Sequence, residues 1–159
     1  MNSSIRMNLN RWQSITLASI FAGAMIFLLK YFGDLLKHPL LIASYAASLS
    51  LVFAVTRSPF VRSKNLFFGY LIGALSGLVF FHLWGENIWT LSIAVATALF
   101  VMEATHTLHP PAVAVPILVI TDHAQWSFLW APLGGGVGII LICAYLHRKF
   151  IKRFPIHMA

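Results

Sequence analysis

The sequence predicts an all-α fold, a polytopic transmembrane helix bundle, on three observations. Of its 159 residues 59% are hydrophobic and 9% charged, giving a mean hydropathy of +0.82. The apolar residues gather into runs long enough to fill hydrocarbon. The lysines and arginines fall mostly in the short stretches between those runs. A formal charge of +7 would suggest nucleic acid in a soluble chain. Cations placed between apolar runs act instead as topology signals and contacts for headgroups, so the expected partner is membrane lipid and not nucleic acid. The single cysteine, Cys143, has no intrachain partner for a disulfide.

Taken in order, the runs span residues 14–32, 39–55, 66–84, 88–108, 111–121 and 127–146. The first follows Arg6 and Arg11, as a signal peptide would, but it is too long for a cleaved apolar core and lacks a small-residue cleavage site. It is read as the first span. The second is short for a span, and the fifth would cover only about 17 Å as a helix, against roughly 30 Å of hydrocarbon. That fifth run either re-enters the membrane or crosses with extended backbone sheltered by its neighbours. Cation placement decides. With six crossings and the N-terminus inside, Arg6, Arg11, Arg57, Arg62, Lys64, Arg148, Lys149, Lys152 and Arg153 face the cytoplasm, leaving Lys30 and Lys37 outside. A fifth run that failed to cross would strand the cluster from Arg148 to Arg153 outside. The expectation is therefore six crossings with a short broken fifth segment, both termini cytoplasmic, in a plasma (inner) membrane, with residues 1–159 as one transmembrane domain.

An internal pattern points to a 3+3 inverted repeat over residues 14–84 and 88–146. His38-Pro39 opens the second run and His109-Pro110-Pro111 the fifth, while Gly69, Gly73 and Gly77 in the third run match Gly134 and Gly138 in the sixth. Glycines four apart also simply let helices pack closely, within one chain or in a homo-oligomer joined through glycine-rich faces. On that basis Gly73→Leu should disturb the fold more than Gly85→Leu, Gly85 being placed in an outer loop. Gly134-Gly135-Gly136 is no phosphate loop, since no Lys-Ser/Thr follows it.

Ionisable and helix-breaking residues concentrate in Glu103-Ala104-Thr105-His106-Thr107-Leu108-His109-Pro110-Pro111-Ala112. Adjacent prolines should stop one helix near Leu108 and start another, with His109 close to its N-cap. A helix start at membrane depth offers free N–H groups and the positive end of the macrodipole, which suits an anion. The same residues would also serve as a plain turn between two helices. Glu103 is the carboxylate placed away from the outer loops, where Asp34, Glu86 and Asp122 fall, and intramembrane charge is costly enough to imply a task. If the fourth helix reaches His106, then Glu103 and His106 lie one turn apart on one face, as a proton-binding pair or a structural one. A metal site from Glu103, His106 and His109 has too few ligands in a single Glu-x-x-His unit, so neither metal nor cofactor is expected. Thr105, Thr107 and Ser48 could donate to an anion or satisfy carbonyls of their own helices. Trp84, Trp89, Trp126 and Trp130 read as an outer aromatic belt and Trp12 as an inner anchor.

Two separated stretches resemble a known family. Ser58-Pro59-Phe60-Val61-Arg62-Ser63-Lys64-Asn65-Leu66-Phe67-Phe68-Gly69-Tyr70, followed by Leu108-His109-Pro110-Pro111-Ala112, resembles the HPP family of small integral membrane proteins, over a region from about Leu40 to the last span. The resemblance implies nitrite transport, the activity with which plant-chloroplast and cyanobacterial members are associated. Departures are visible too: Val113-Ala114-Val115-Pro116 stands where members have Gly-Ala-Thr-Ala, Ser44-Tyr45-Ala46-Ala47-Ser48 where they have Ser-Phe-Gly-Ala-Ser, and Phe68-Gly69-Tyr70 where they have Gly-Gly-His. Loss of two glycines and one hydroxyl restricts backbone approach and removes a donor.

No serine-nucleophile elbow, zinc-type cysteine pair, nucleotide fingerprint or haem motif is present, so no enzyme is expected. The expected function is a channel or secondary transporter for a small inorganic anion. His109, Pro110, Pro111, Ala112, Ser48, Thr105 and Thr107 are its candidate binding residues, with Glu103 and His106 for proton coupling. The alternatives are a non-transporting membrane scaffold or sensor subunit in which the break only shapes the bundle, and a proton- or metal-coupled transporter using Glu103 and His106.

Overall fold

The computed structural model describes residues 11–37, 42–55 and 58–153. Every regular element among them is helical. In order these are α1 (Arg11–Leu36), α2 (Ser44–Ala54), a 3-10 turn (Pro59–Val61), α3 (Ser63–Trp84), α4 (Ile88–Ala104), and a 3-10 turn (Pro110–Ala114) that runs into α5 (Val115–Thr121). A further 3-10 turn (Trp126–Leu129) and a π-helical stretch (Trp130–Gly136) then lead into α6 (Val137–Arg153). Three segments are long and apolar enough to cross a membrane: Ile15–Leu35, Ser63–Trp84 and Trp126–Lys149. Ser44–Ala54, Ile88–Ala104 and Pro110–Thr121 are apolar but shorter. At 1.5 Å per residue they reach about 16 to 26 Å, less than roughly 30 Å of hydrocarbon.

The hub is α3, which packs against α4, α5, α6 and the turns that flank them. Its sequence explains why. Asn65, Gly69, Gly73 and Gly77 recur every fourth residue and so share one face. A Cβ at Gly69 would lie 2.8 Å from the His109 Cβ, one at Gly73 2.6 Å from the Ala112 carbonyl oxygen, and one at Gly77 2.8 Å from the Val119 Cβ. The glycines thus form a groove that holds the chain from His109 to Val119 against the helix backbone. Asn65 extends that face by one turn, its Nδ2 donating to the Leu108 carbonyl at 3.0 Å. Elsewhere on α3, Ser76 Oγ donates to the Ala94 carbonyl at 2.7 Å and ties down α4.

The matching glycines of the second half do something else. A Cβ at Gly138 would meet nothing within 4 Å, and Gly134 lies within the π-helical stretch, where a Cβ would stand 3.3 Å from the Leu129 carbonyl. Equal spacing therefore serves unequal contacts. His38 and Pro39, the proposed counterparts of His109 and Pro110, lie outside the described residues, as do Arg6, Leu40 and Arg57.

The fourth helix stops at Ala104, four residues before the end of its apolar run. Thr107 N–H donates to the Met102 carbonyl at 2.8 Å and His106 N–H to the Glu103 carbonyl at 3.0 Å, with His106 at φ 52°. That is a Schellman closure. The end of α5 repeats it, with bonds from Ala124 to Val119 at 2.9 Å and from His123 to Ile120 at 3.2 Å, and His123 at φ 50°. In both, histidine occupies the left-handed position that usually falls to glycine. Glycine ends α3 in another way: Gly85 has φ 68° and ψ −166°, a conformation that essentially only glycine adopts, so this loop position is strained by any side chain and is not a tolerant control for Gly73.

Polar contacts tie the two ends of α3 to different partners. Arg148 donates to Ser63 Oγ at 2.7 Å at its start, and His123 Nε2 lies 2.8 Å from Glu86 Oε2 just past its end. Trp12, Trp84, Trp89, Trp126 and Trp130 all lie exposed on the surface.

Gly138 is the proper comparison for the groove. Gly73→Ala should destabilise the purified protein by about 1–3 kcal/mol through overpacking. Gly138→Ala should gain up to about 1 kcal/mol from helix propensity. Thermal melts in detergent read both, and equal melting temperatures would remove the groove from the account of stability.

Candidate functional site

The site grows from the break after α4. His109 precedes Pro110, which excludes helical backbone at that residue, and it adopts φ −131° and ψ 98°. Extended backbone there turns its side chain into the protein, where it is fully buried. Its Nδ1 lies 2.9 Å from the Phe60 carbonyl oxygen, a group that only accepts, so Nδ1 carries a proton and donates. Nε2 lies 2.7 Å from Ser48 Oγ, which in turn lies 2.7 Å from the Tyr70 hydroxyl. With a neutral imidazole the direction follows: Tyr70 donates to Ser48, Ser48 to His109 Nε2, and His109 Nδ1 to Phe60. Four separate elements supply these groups, and Ser48, Tyr70 and His109 are wholly enclosed.

Aromatic contacts extend this chain toward the other end of the molecule. The Tyr70 ring lies 5.5 Å from the His109 ring and meets Tyr45 edge-on at 5.1 Å. The Tyr45 hydroxyl donates to the Pro132 carbonyl in the π-helical stretch. One face of α2 therefore holds both irregular segments, Tyr45 at one and Ser48 at the other.

The helix start itself is poor in donors. Pro110 and Pro111 have no N–H, and Ala112 N–H is already bonded to the His109 carbonyl at 2.9 Å. The expectation that this start offers free N–H groups to an anion fails on that inventory, and the side chains of Ser48, Tyr70 and His109 are the groups concentrated here.

Of the residues singled out in the sequence, Ser48 and His109 are brought into direct contact. Ala112 is buried against Gly73, Pro111 is half-buried and Pro110 is exposed. Thr105 Oγ1 donates to the Val101 carbonyl at 2.7 Å and meets Thr107 Oγ1 at 2.7 Å, so these hydroxyls close the end of α4 and make no bond to the His109 cluster. Glu103 and His106 both lie on the surface. Their side chains do not pair, because α4 ends at Ala104 and the left-handed turn at His106 takes it off the shared helical face. Among the described residues no three His, Cys, Asp or Glu side chains converge as a metal site requires, which leaves the Glu103, His106 and His109 alternative without geometry. Sequence reasoning names Phe60, Asn65, Tyr70 and Tyr45 only within the stretches compared with the family and gives them no role at the site. Tyrosines inside apolar runs are the available signal, since a buried phenol needs a partner.

The two stretches that carry the family resemblance meet here, Phe60, Asn65, Gly69 and Tyr70 from the first touching Leu108, His109 and Ala112 from the second. A family model described as HPP, transmembrane region, matches residues 7–155. This chain belongs to the HPP transmembrane family. Over 151 residues the HPP chain is 27% identical to a transmembrane protein of Dictyostelium discoideum, a match covering 86% of this chain and 52% of that protein. A second transmembrane protein of the same organism is 28% identical over 145 residues, covering 85% and 47%. The HPP chain thus spans about half the length of these curated relatives. No solved structure matches it.

The buried cluster should behave as a unit in this HPP protein. Ser48→Ala leaves two buried polar groups without a partner and should cost about 1–3 kcal/mol. Adding Tyr70→Phe removes one of those orphans, so the double variant should be less destabilised than the sum of the two single ones, by about 0.5–3 kcal/mol. Strict additivity in a double-mutant cycle would show that the short distances carry no coupling.

Proposed function

We propose that this HPP-family membrane protein transports a small inorganic anion, of the size and charge of nitrite, at the break between α4 and α5. One observation supports the reading above others: the His109, Ser48 and Tyr70 cluster presents N–H and O–H groups deep in an apolar protein with no carboxylate beside it. Glu103 lies at the surface, and Asp34, Glu86 and Asp122 are exposed. Buried polar groups in a membrane protein are costly and mark solute pathways, and donors without carboxylates favour an anion over a cation. An anion entering between Ser48 and Tyr70 takes the acceptor role that the Ser48 hydroxyl now fills for Tyr70. His109 keeps its Nδ1 bond to Phe60 and gains positive charge if Nε2 takes a proton.

Six crossings with both termini cytoplasmic fit this reading. The cation asymmetry supports it, as does the attachment of Arg148 and Glu86–His123 to opposite ends of α3. Coupling to protons through Glu103 and His106 is a separate proposal, supported by their position beside the break. Glu103→Gln would then alter the pH dependence of flux, and an unchanged profile would remove the pair from the mechanism.

A scaffold role is the second reading, favoured by the complete mutual satisfaction of the cluster. Flux separates the two. Purified protein in liposomes should pass nitrite, tested beside nitrate, formate and chloride. Ser48→Ala and His109→Gln should lower that flux at least tenfold while the protein stays monodisperse, and Pro110→Ala/Pro111→Ala should abolish it. Undiminished flux in Ser48→Ala, or no anion flux from intact protein, would leave the scaffold.

Topology is tested independently in a Cys143→Ser background. A Ser63→Cys variant should react only with reagent supplied to the cytoplasmic side. Labelling from the outside alone would overturn the six-crossing arrangement.

A further inference from the structure

A cleft of about 810 Å³ opens at the end of the molecule that carries the α5–α6 connection. Its lining includes Ile42, Asp122, Gln125, Ser127, Trp130 and Pro132. Polar groups stand on its walls, yet none of the His109 cluster lines it. Tyr45 does not itself line the cleft, but it touches residues of both sets. Its N–H donates to the Ile42 carbonyl at 3.0 Å, which places it at the first turn of α2 directly below the lining. Its hydroxyl takes the carbonyl of Pro132, another lining residue, and its ring abuts Tyr70, whose own hydroxyl reaches Ser48. Val137 N–H turns to the Leu133 and Gly134 carbonyls, while the Pro132 carbonyl takes the phenol. Interruptions of this π-helical kind recur at functional positions.

We propose that the cleft is the entry vestibule of the His109 site and that Tyr45, held to the Pro132 carbonyl, is its closed gate. The proposal rests on the transport reading of that site and adds a route and a gating residue to it. A solute in the cleft is one aromatic ring away from Tyr70 and Ser48. Rotation of the Tyr45 side chain gives up its contacts with the Pro132 and Val137 backbone and its edge-on contact with Tyr70, and it opens that path without disturbing the His109–Phe60 or His109–Ser48 bonds. Closed, the ring keeps the cleft's water from the buried hydroxyls. Among the described residues the one charged side chain lining the cleft is Asp122, at the C-terminus of α5, so a permeant anion meets its repulsion at the mouth and its binding groups only behind the gate.

Cysteine accessibility tests the gate without needing any substrate. In a Cys143→Ser background, Ser127→Cys reports the cleft and Ser48→Cys the space behind Tyr45. A membrane-impermeant methanethiosulfonate, added from the cleft side to protein in liposomes, should modify the Ser127→Cys thiol quickly whatever residue stands at 45. With Tyr45 present, the Ser48→Cys thiol should react at least tenfold more slowly than that cleft thiol. Its rate should rise at least threefold in Tyr45→Phe, which keeps the ring and loses the bond, and at least tenfold in Tyr45→Ala. The Phe variant keeps the test valid should the Ala variant fail to fold, and an unchanged rate for Ser127→Cys certifies the cleft in each. Equal reactivity of the Ser48→Cys and Ser127→Cys thiols in the presence of Tyr45, or no rise in either variant, overturns the gate. Exposure of the Ser48→Cys thiol on replacing Tyr45, together with no anion flux from the protein that keeps Ser48 and Tyr45, defeats the transport reading alone.

Discussion

Two missing N–H groups govern this structure. Pro110 and Pro111 cannot continue a helix, so α4 ends before them and the carbonyls of its last turn and of the following break need other partners; in hydrocarbon an unsatisfied carbonyl costs several kcal/mol because no water replaces the partner. The chain answers from its side chains and its neighbours. Asn65 supplies the donor for Leu108, Thr105 caps Val101, and a Schellman closure recovers Met102 and Glu103. Each replacement fixes the position of a different element. That is why the segment from Thr105 to Ala112 has contacts to α3 and to the 3-10 turn before it, and why the Ser58–Tyr70 stretch reads as a motif at all: Phe60, Asn65, Gly69 and Tyr70 face one broken stretch of backbone.

A consequence is that α2, only 11 residues long, is the member that spans both irregular regions. Tyr45 and Ser48 are three apart on one face, so a small rotation of α2 changes the contact at Pro132 and the contact at His109 together.

Much of this is legible from the residues, in proportion to how local each signal is. Helical class and the break at His109-Pro110-Pro111 follow from composition and from proline stereochemistry. Ser48 and His109 stand out because polar side chains in apolar runs are visible in any sequence. Phe60 and Leu108 do not, because they take part through backbone carbonyls, which leave no mark in the side-chain pattern. The end of α4 is hidden for a related reason: the residue in the left-handed conformation is His106, and without a glycine the stop signal is absent. The Glu103–His106 pairing falls with it, since helical spacing means nothing past the last helical turn. Glycine periodicity is ambiguous, seating a neighbouring segment at Gly73 and facing open space at Gly138.

The glycine groove of α3 also sets how this protein can change over generations. Exposed apolar positions such as Phe27 and Phe100 accept any apolar residue, since hydrocarbon exerts no shape requirement. Gly69, Gly73 and Gly77 accept none, because backbone rather than a yielding side chain lies opposite at Gly73 and Gly77. Sequence drift is thereby steered outward. It also means that the glycine signature of α3, so often read as a handle between molecules, is already occupied inside one, whereas Gly138 on α6 remains open.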